Sequence, residues 1–179
     1  MKNKFSFLIY CAAGITGGLT LLFALLSENS LCLTLAITFG TTFYHFAMRL
    51  AVGYLGLLLP KGLENAEWFR EQPWEKGLYR RLGVRRWKNR MPTFRPERFD
   101  LRSRTLPEII HAACVSEITH EIIIPLSFLP LLAIPKFGAA PVFVITSLLA
   151  ALFDSIFVIM QRYNRPRLRR LAQREATRL

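Results

Sequence analysis

The feature that most constrains the fold is a long apolar run that ends abruptly in a basic tail. The run extends from Pro141 to Met160 without a lysine or an arginine, which is close to the length that crosses the hydrocarbon core of a bilayer. The tail, residues 161–179, contains seven arginines: Arg162, Arg165, Arg167, Arg169, Arg170, Arg174 and Arg178. A hydrophobic run followed by a basic cluster predicts a membrane helix that reaches the cytoplasmic surface.

Three further apolar runs are each long enough to cross a bilayer. They cover residues 5–26, 31–59 and 106–134, and Pro125 and Pro130 are expected to kink or end the third helix. The chain is 52% hydrophobic and yet carries a net charge of +12, so its apolar and basic residues must be segregated between lipid and the lipid surface. The sequence therefore predicts one all-α membrane domain with four transmembrane helices, a cytoplasmic loop at 61–105 and the basic tail.

The distribution of positive charge predicts the orientation. Of the 24 lysines and arginines, all except Arg49 and Lys136 lie at the N-terminus, in the 61–105 loop or in the tail. Because positively charged loops stay in the cytoplasm, both termini are expected there. Basic clusters beside membrane segments favour anionic lipid or a phosphate-bearing substrate as partner, and not nucleic acid. The three cysteines are widely spaced in apolar runs, which argues against a disulfide framework or a zinc site.

The 61–105 loop combines basic side chains with aromatic ones. Its aromatic residues are Trp68, Phe69, Trp74, Tyr79, Trp87, Phe94 and Phe99. Disordered segments are poor in aromatic residues, so we expect short amphipathic helices that lie along the membrane surface.

The third apolar run carries an unusual group of ionisable residues. On a helix Glu117, His120 and Glu121 share one face, whereas His111 points elsewhere. A histidine near the membrane interface can take a proton from an alcohol, and a carboxylate can orient its ring. We therefore predict Glu117 and His120 as a catalytic pair for acyl transfer to a hydroxyl; the alternative is a buried pair that only locks two helices together. Glu-x-x-His also occurs in di-iron bundles, but these need a second copy, so no metal site is predicted.

Charged residues in two other spans are candidates for a supporting role. His45 and Arg49 lie four residues apart and share a face of the second helix. Arg49 is either functional or extends to the interface, and His45 is either a packed core residue or a supporting one. Asp154, near the cytoplasmic end of the last span, is expected to pair with an arginine. Glu121 and Trp87 complete the supporting set.

The basic tail and the loop predict a binding site for phosphate groups. The candidate residues are Arg162, Tyr163, Asn164, Arg165, Arg167, Arg85, Arg86 and Lys88. Guanidinium groups bind phosphate strongly, and an acyl-coenzyme A donor would bring its phosphates to the cytoplasmic side. Beyond residue 168, the alternative is an anchor held by anionic lipid. Phosphate-binding glycine loops and the serine-nucleophile motif GxSxG do not occur in the sequence, and no tightly bound cofactor is predicted.

Three blocks of the sequence resemble the glycosyl-diaponeurosporenoate acyltransferases, integral membrane enzymes of carotenoid synthesis. The blocks are Trp74–Tyr79 leading into Gly83–Pro92, Glu117–His120, and Gln161–Leu168. The resemblance implies a bacterial cell-membrane enzyme that esterifies a sugar hydroxyl of a glycosylated carotenoid, or of a similar glycolipid, with a fatty acyl chain. In that case Glu117 and His120 would act as the base pair, and residues 161–167 would line the donor site.

Two other functions are compatible with the pattern. One is a membrane reductase or methyltransferase that acts on an isoprenoid lipid, because such enzymes also place arginine-rich tails beside membrane helices. The other is a non-catalytic membrane scaffold that binds another enzyme through its basic loop.

Overall fold

The computed structural model describes residues 4–26 and 29–177, and in those residues every regular element is helical. The α-helices are α1 (Lys4–Leu25), α2 (Ser30–Leu55), α3 (Glu75–Arg81), α4 (Val84–Trp87), α5 (Leu106–Leu126), α6 (Ile134–Phe137) and α7 (Ala140–Ala176). Short 3-10 turns cover Gly56–Leu58, Leu63–Asn65, Glu67–Phe69, Lys88–Arg90, Pro96–Arg98 and Leu129–Ala133. The predicted all-α class is confirmed.

Within the described residues, four helical segments are long and apolar enough to cross a bilayer. They are Lys4–Leu25, Ser30–Leu58, Leu106–Phe137 and Ala140–Ala176, which confirms the prediction of four transmembrane helices. Their outer surfaces carry large apolar side chains, for example Leu21 on α1 and Leu149 on α7, which are 67% and 63% exposed. Apolar patches of this extent suit lipid and not water. The chain is a membrane protein.

The third segment is interrupted where its prolines predict. The helix α5 ends at Leu126, directly after Pro125, and the chain continues as the Leu129–Ala133 turn and the short α6. At the end of α5, the Ser127 backbone N–H and hydroxyl both donate to the Ile123 carbonyl, at 2.8 and 2.9 Å.

The last segment is longer than expected from the apolar run. The helix α7 continues without a break through the change of polarity at Gln161, and Pro166 lies inside it. Its 37 residues correspond to about 55 Å, compared with about 30 Å for the hydrocarbon core. Roughly its last two-fifths therefore extends beyond the membrane, where it packs against the 61–105 loop.

Helices α5 and α7 pack against each other extensively and form the centre of the molecule, while α1 and α2 form a second pair. The two pairs meet closely at Gly56, where a side-chain Cβ would collide with the Thr119 hydroxyl. The loop folds onto the central pair: Phe69 is buried against Ile110 of α5, and Tyr79 against Tyr163 of α7.

Candidate functional site

A cavity of about 180 Å³ opens where the two helix pairs meet the loop. Phe5 and Ile9 of α1, Leu50 and Tyr54 of α2, and residues 92–95 of the loop form part of its wall. Helices α5 and α7 form the opposite side. The polar residues that line it are Arg49, Thr93, Arg95, Arg98, Ser116, Thr119, His120, Asp154 and Gln161. A mostly apolar cavity with a few convergent polar groups is typical of a binding site for a small molecule.

His120 and Asp154 form a hydrogen-bonded pair on this cavity. The Nδ1 atom of His120 lies 2.8 Å from Oδ1 of Asp154, and the imidazole ring stacks on Phe157 with its centroid 4.7 Å away and the planes 11° apart. A carboxylate accepts, so in the neutral ring Nδ1 carries the hydrogen and Nε2 carries the lone pair. The Asp154 side chain is fully buried whereas that of His120 is 21% exposed. The pair therefore has the arrangement of a general base and the carboxylate that orients it.

Arg49 completes this group from the second span. Its Nη2 pairs with Oδ2 of Asp154, and its guanidinium also donates to the carbonyls of His45, at 2.9 Å, and Ala150, at 3.1 Å. The expected pairing of Asp154 with an arginine is confirmed, although the partner comes from α2 and not from the tail. Arg49 does not extend to the interface; it compensates the charge of a buried carboxylate.

The structure corrects the predicted pairing of Glu117 with His120. Glu117 is fully buried, and its carboxylate lies 2.9 Å from Nε of Arg162 and 3.3 Å from Nη1 of Arg165. It is not among the residues that line the cavity. Glu117 lies almost one helical turn before His120, and there α7 presents arginines, so each of the two α5 residues has its own partner on α7.

Arg162 and Arg165 belong to a buried ionic network and are not free to bind phosphate. Arg162 contacts three carboxylates, those of Glu75, Glu117 and Glu121, at 3.2, 2.9 and 3.2 Å. Arg165 is fully buried and packs over the Phe69 ring, with 4.9 Å from its guanidinium carbon to the ring centroid. Buried charges require such partners because their desolvation is costly. The predicted donor-binding role of these two arginines therefore gains no support from the structure.

The neighbouring tail residues also lie apart from the cavity. Tyr163 is buried edge-on against Tyr79, with ring centroids 5.6 Å apart. Arg167 and Lys88 cover the Tyr163 ring, with their charged groups 3.5 and 5.7 Å from its centroid. Burial and then the neighbouring Arg167 lower the pKa of Lys88, so this surface can attract an anion, but neither Lys88 nor Arg167 lines the cavity. Asn164 is half-buried and does not line the cavity either.

The remaining candidates of the loop and the second span fall outside the cavity too. Arg85 and Arg86 are exposed, and the Trp87 indole donates to the Leu82 carbonyl at 3.0 Å. His45 is buried against Tyr44, and neither of its ring nitrogens has a hydrogen-bond partner among the described residues. His45 is a packed core histidine.

The sequence did not reveal Arg95, Arg98 or Ser116 as cavity residues, whereas Gln161, which the family resemblance places at the donor site, lines the cavity. Ser116, one turn before His120, accepts a hydrogen bond from the Gln161 amide at 3.3 Å. Arg95 and Arg98 are two of the basic residues of the 61–105 loop. Nothing in their spacing distinguishes them from Arg85 or Arg102; only the folding of the loop against α1 and α2 does.

The sequence matches a known protein family over more than half of its length. Residues 65–174 match the family described as glycosyl-4,4'-diaponeurosporenoate acyltransferase. No curated protein and no solved structure matches the chain. The matched region is more than half of the 179 residues and contains His120, Asp154 and the whole buried ionic network. The chain belongs to the glycosyl-4,4'-diaponeurosporenoate acyltransferase family and is a membrane-embedded acyltransferase.

Proposed function

We propose that this enzyme transfers a fatty acyl group from a thioester to a sugar hydroxyl of a glycosylated carotenoid or a similar glycolipid. The observation that carries the proposal is the His120–Asp154 pair on a mostly apolar cavity, in which Nε2 of His120 has no hydrogen-bond partner among the described residues. The family match supports the reaction class and the acceptor class. The second support is the position of the cavity at the loop end of the bundle, where a glycolipid headgroup and a water-soluble donor can meet.

The proposed reaction is a direct transfer. Nε2 of His120 removes the proton of the sugar hydroxyl while its oxygen attacks the thioester carbonyl carbon, and Asp154 stabilises the imidazolium that forms. Collapse of the tetrahedral intermediate breaks the C–S bond, and the departing thiolate accepts the proton from the imidazolium, which restores the neutral imidazole. The Ser116 hydroxyl is hydrogen-bonded to the Gln161 amide, and the imidazole of His120 is hydrogen-bonded to Asp154. This arrangement favours direct transfer over an acyl-serine intermediate.

The substrates follow from the surroundings of the pair. The acceptor is a lipid-like glycoside that reaches the cavity from the bilayer, and the donor is acyl-coenzyme A or another acyl thioester. We place the enzyme in a bacterial cell membrane, as the family resemblance implies. We place both termini and the cavity at the cytoplasmic leaflet, because the loop and tail carry most of the positive charge.

Replacement of His120 tests the proposal. In the purified full-length enzyme reconstituted in nanodiscs, His120→Ala should lower ester formation by about 10²- to 10⁴-fold, which is the usual contribution of a general base. The measurement is mass spectrometry of the lipid extract with a glycosylated carotenoid and an acyl-coenzyme A as substrates. His111→Gln is the matched control, because His111 pairs with Glu64 at 2.9 Å outside the cavity.

The control should form ester at the rate of the wild type. Ester formation by the His120→Ala enzyme at the wild-type rate would remove this residue from the mechanism. A wild-type enzyme that forms no ester, but binds a nicotinamide nucleotide or S-adenosylmethionine, would instead indicate a reductase or methyltransferase.

A further inference from the structure

Two arginines on the wall of the catalytic cavity have no carboxylate partner among the described residues. Arg95 and Arg98 both line the cavity and are only partly exposed. Arg49 pairs with Asp154, and Arg162 and Arg165 pair with Glu117. The half-buried Arg169 donates instead to the backbone carbonyls of Phe69 and Glu64. Partly buried guanidinium groups without a counterion are characteristic of sites that receive an anionic ligand.

The local structure directs both side chains to the same place. Arg95 directly precedes the Pro96–Arg98 turn and Arg98 ends it, and both residues line the cavity. Arg95 is held over the Tyr54 ring, with 5.0 Å from its guanidinium carbon to the ring centroid. The hydroxyl of Ser6 in α1 donates to the Phe94 carbonyl, so the segment is fixed against α1 and α2.

The electrostatics of this pair favour a bound anion. Burial lowers the pKa of Arg98, the nearby Arg95 and Arg104 lower it further, and the neighbouring Glu97 raises it by a smaller amount. Arg104 has its own partner, Glu108, at 3.5 Å. An anion between Arg95 and Arg98 would relieve this repulsion.

We propose that Arg95 and Arg98 bind a phosphate group of the acyl donor in the same cavity as His120. The inference rests on the proposed acyl transfer and specifies how the donor is held. A neutral glycoside offers only hydroxyl groups, so an anion in this cavity comes from the donor. With the proposed thioester donor, the phosphate belongs to a pantetheine-linked carrier such as coenzyme A. The other source of the same group is a phospholipid, whose acyl chain is an oxygen ester; in that case the C–O bond breaks and the lipid alkoxide, in place of the thiolate, takes the proton from the imidazolium.

Equilibrium binding tests the site independently of turnover. Full-length enzyme with His120→Ala, in nanodiscs of phosphatidylcholine, is titrated with coenzyme A by isothermal calorimetry. Added Arg95→Gln or Arg98→Gln should weaken binding by about ten- to a hundredfold, the effect of losing a charge-assisted hydrogen bond. Arg102→Gln is the control, because Arg102 lies in the same loop, is exposed and does not line the cavity. Arg98→Lys keeps the charge and the fold, and it should weaken binding less than Arg98→Gln because the bidentate contact alone is lost.

A second arm identifies the source of the phosphate. If coenzyme A does not bind, ester formation with His120 intact is measured in nanodiscs that contain phosphatidylglycerol. A KM for that lipid raised about tenfold or more by Arg98→Gln, and unchanged by Arg102→Gln, supports a phospholipid donor. Coenzyme A affinity and phosphatidylglycerol KM that are both unaffected by Arg95→Gln and Arg98→Gln overturn the inference, even if ester is formed. Arginine-dependent coenzyme A binding without ester formation would refute the proposed acceptor and leave the phosphate site standing.

Discussion

Asp154 is the residue that connects His120 and Arg49 at the cavity. One carboxylate oxygen accepts from His120 and the other from Arg49, so a single side chain of α7 ties α5 to α2. The carboxylate is fully buried, and the arginine compensates the large cost of burying its charge. Its position suggests that Asp154 controls the orientation of the His120 ring.

Asp154→Asn should therefore affect the chemical step. The amide is neutral and cannot stabilise the imidazolium, so we expect kcat to fall by about 10²- to 10⁴-fold while the KM of the glycoside changes little. The assay is steady-state kinetics in nanodiscs. The matched control is Glu64→Gln, since Glu64 is the carboxylate partner of His111, outside the cavity. A kcat equal to that of the wild type would show that Asp154 has no catalytic role.

At the same scale, the sequence predicted that His120 pairs with a carboxylate, but the partner in the structure is Asp154 and not Glu117. The pattern Glu117-x-x-His120 places both residues on one side of α5, and it carries no information about how α7 is rotated against α5. That rotation decides that Glu117 meets two arginines and His120 meets an aspartate. A signal was present in the sequence, because Arg49 and Asp154 are opposite charges in two apolar spans, and such residues usually pair.

At the scale of elements, α7 has two roles along one continuous helix. Its apolar part carries Asp154, and its basic part carries Arg162 and Arg165, which bind Glu117 of α5 and, in the case of Arg162, also Glu75 of α3. The segment 161–168 is thus the place where the loop docks on the central helix pair. This explains a dense arrangement of polar side chains that a simple lipid anchor would not need.

A double replacement tests this structural role. Glu117→Leu leaves the fully buried Arg165 without its carboxylate and should cost about 3–5 kcal/mol of stability. Adding Arg165→Met should recover most of this loss, because it removes the unpaired charge, and ester formation should persist because neither residue lines the cavity. Thermal unfolding in detergent measures the first effect and the lipid assay the second.

The exposed Glu67–Arg70 pair provides the comparison for that cycle. Its side chains are 83% and 72% exposed, so Glu67→Leu and Glu67→Leu/Arg70→Met should each change stability by less than about 1 kcal/mol. A Glu117→Leu/Arg165→Met enzyme that is stable but inactive would restore Glu117 to the chemistry.

At the scale of the whole molecule, the charge distribution predicts an orientation that can be measured. A C-terminal green fluorescent protein fusion should be fluorescent, because this reporter folds when it stays in the cytoplasm. In a cysteine-free background, Lys136→Cys should react with a membrane-impermeant maleimide in intact cells, and Arg81→Cys only after permeabilisation. The reverse labelling pattern would contradict the predicted topology and the placement of the cavity at the cytoplasmic leaflet.

The four membrane segments were predictable because a helix that crosses the hydrocarbon core needs a long apolar run, and such runs are visible in the sequence itself. The path of the loop was not predictable. Interleaved aromatic and basic residues are equally compatible with a membrane surface and with packing against the protein. In the structure the loop aromatics differ in this respect, because Trp68 and Trp74 are exposed whereas Phe69 is 1% exposed.

The contribution of α1 and α2 to the cavity has a practical consequence. The family match begins at residue 65, yet Arg49 and the aromatic ring of Phe5 belong to the preceding part of the chain. A protein shortened to the borders of that match would retain the proposed base, His120, and lose Arg49, the cation that pairs with Asp154. Its cavity would be open to the surrounding lipid on the side that α1 and α2 now cover. The region by which the enzyme is recognised is therefore smaller than the unit that has to be expressed to obtain a working catalyst.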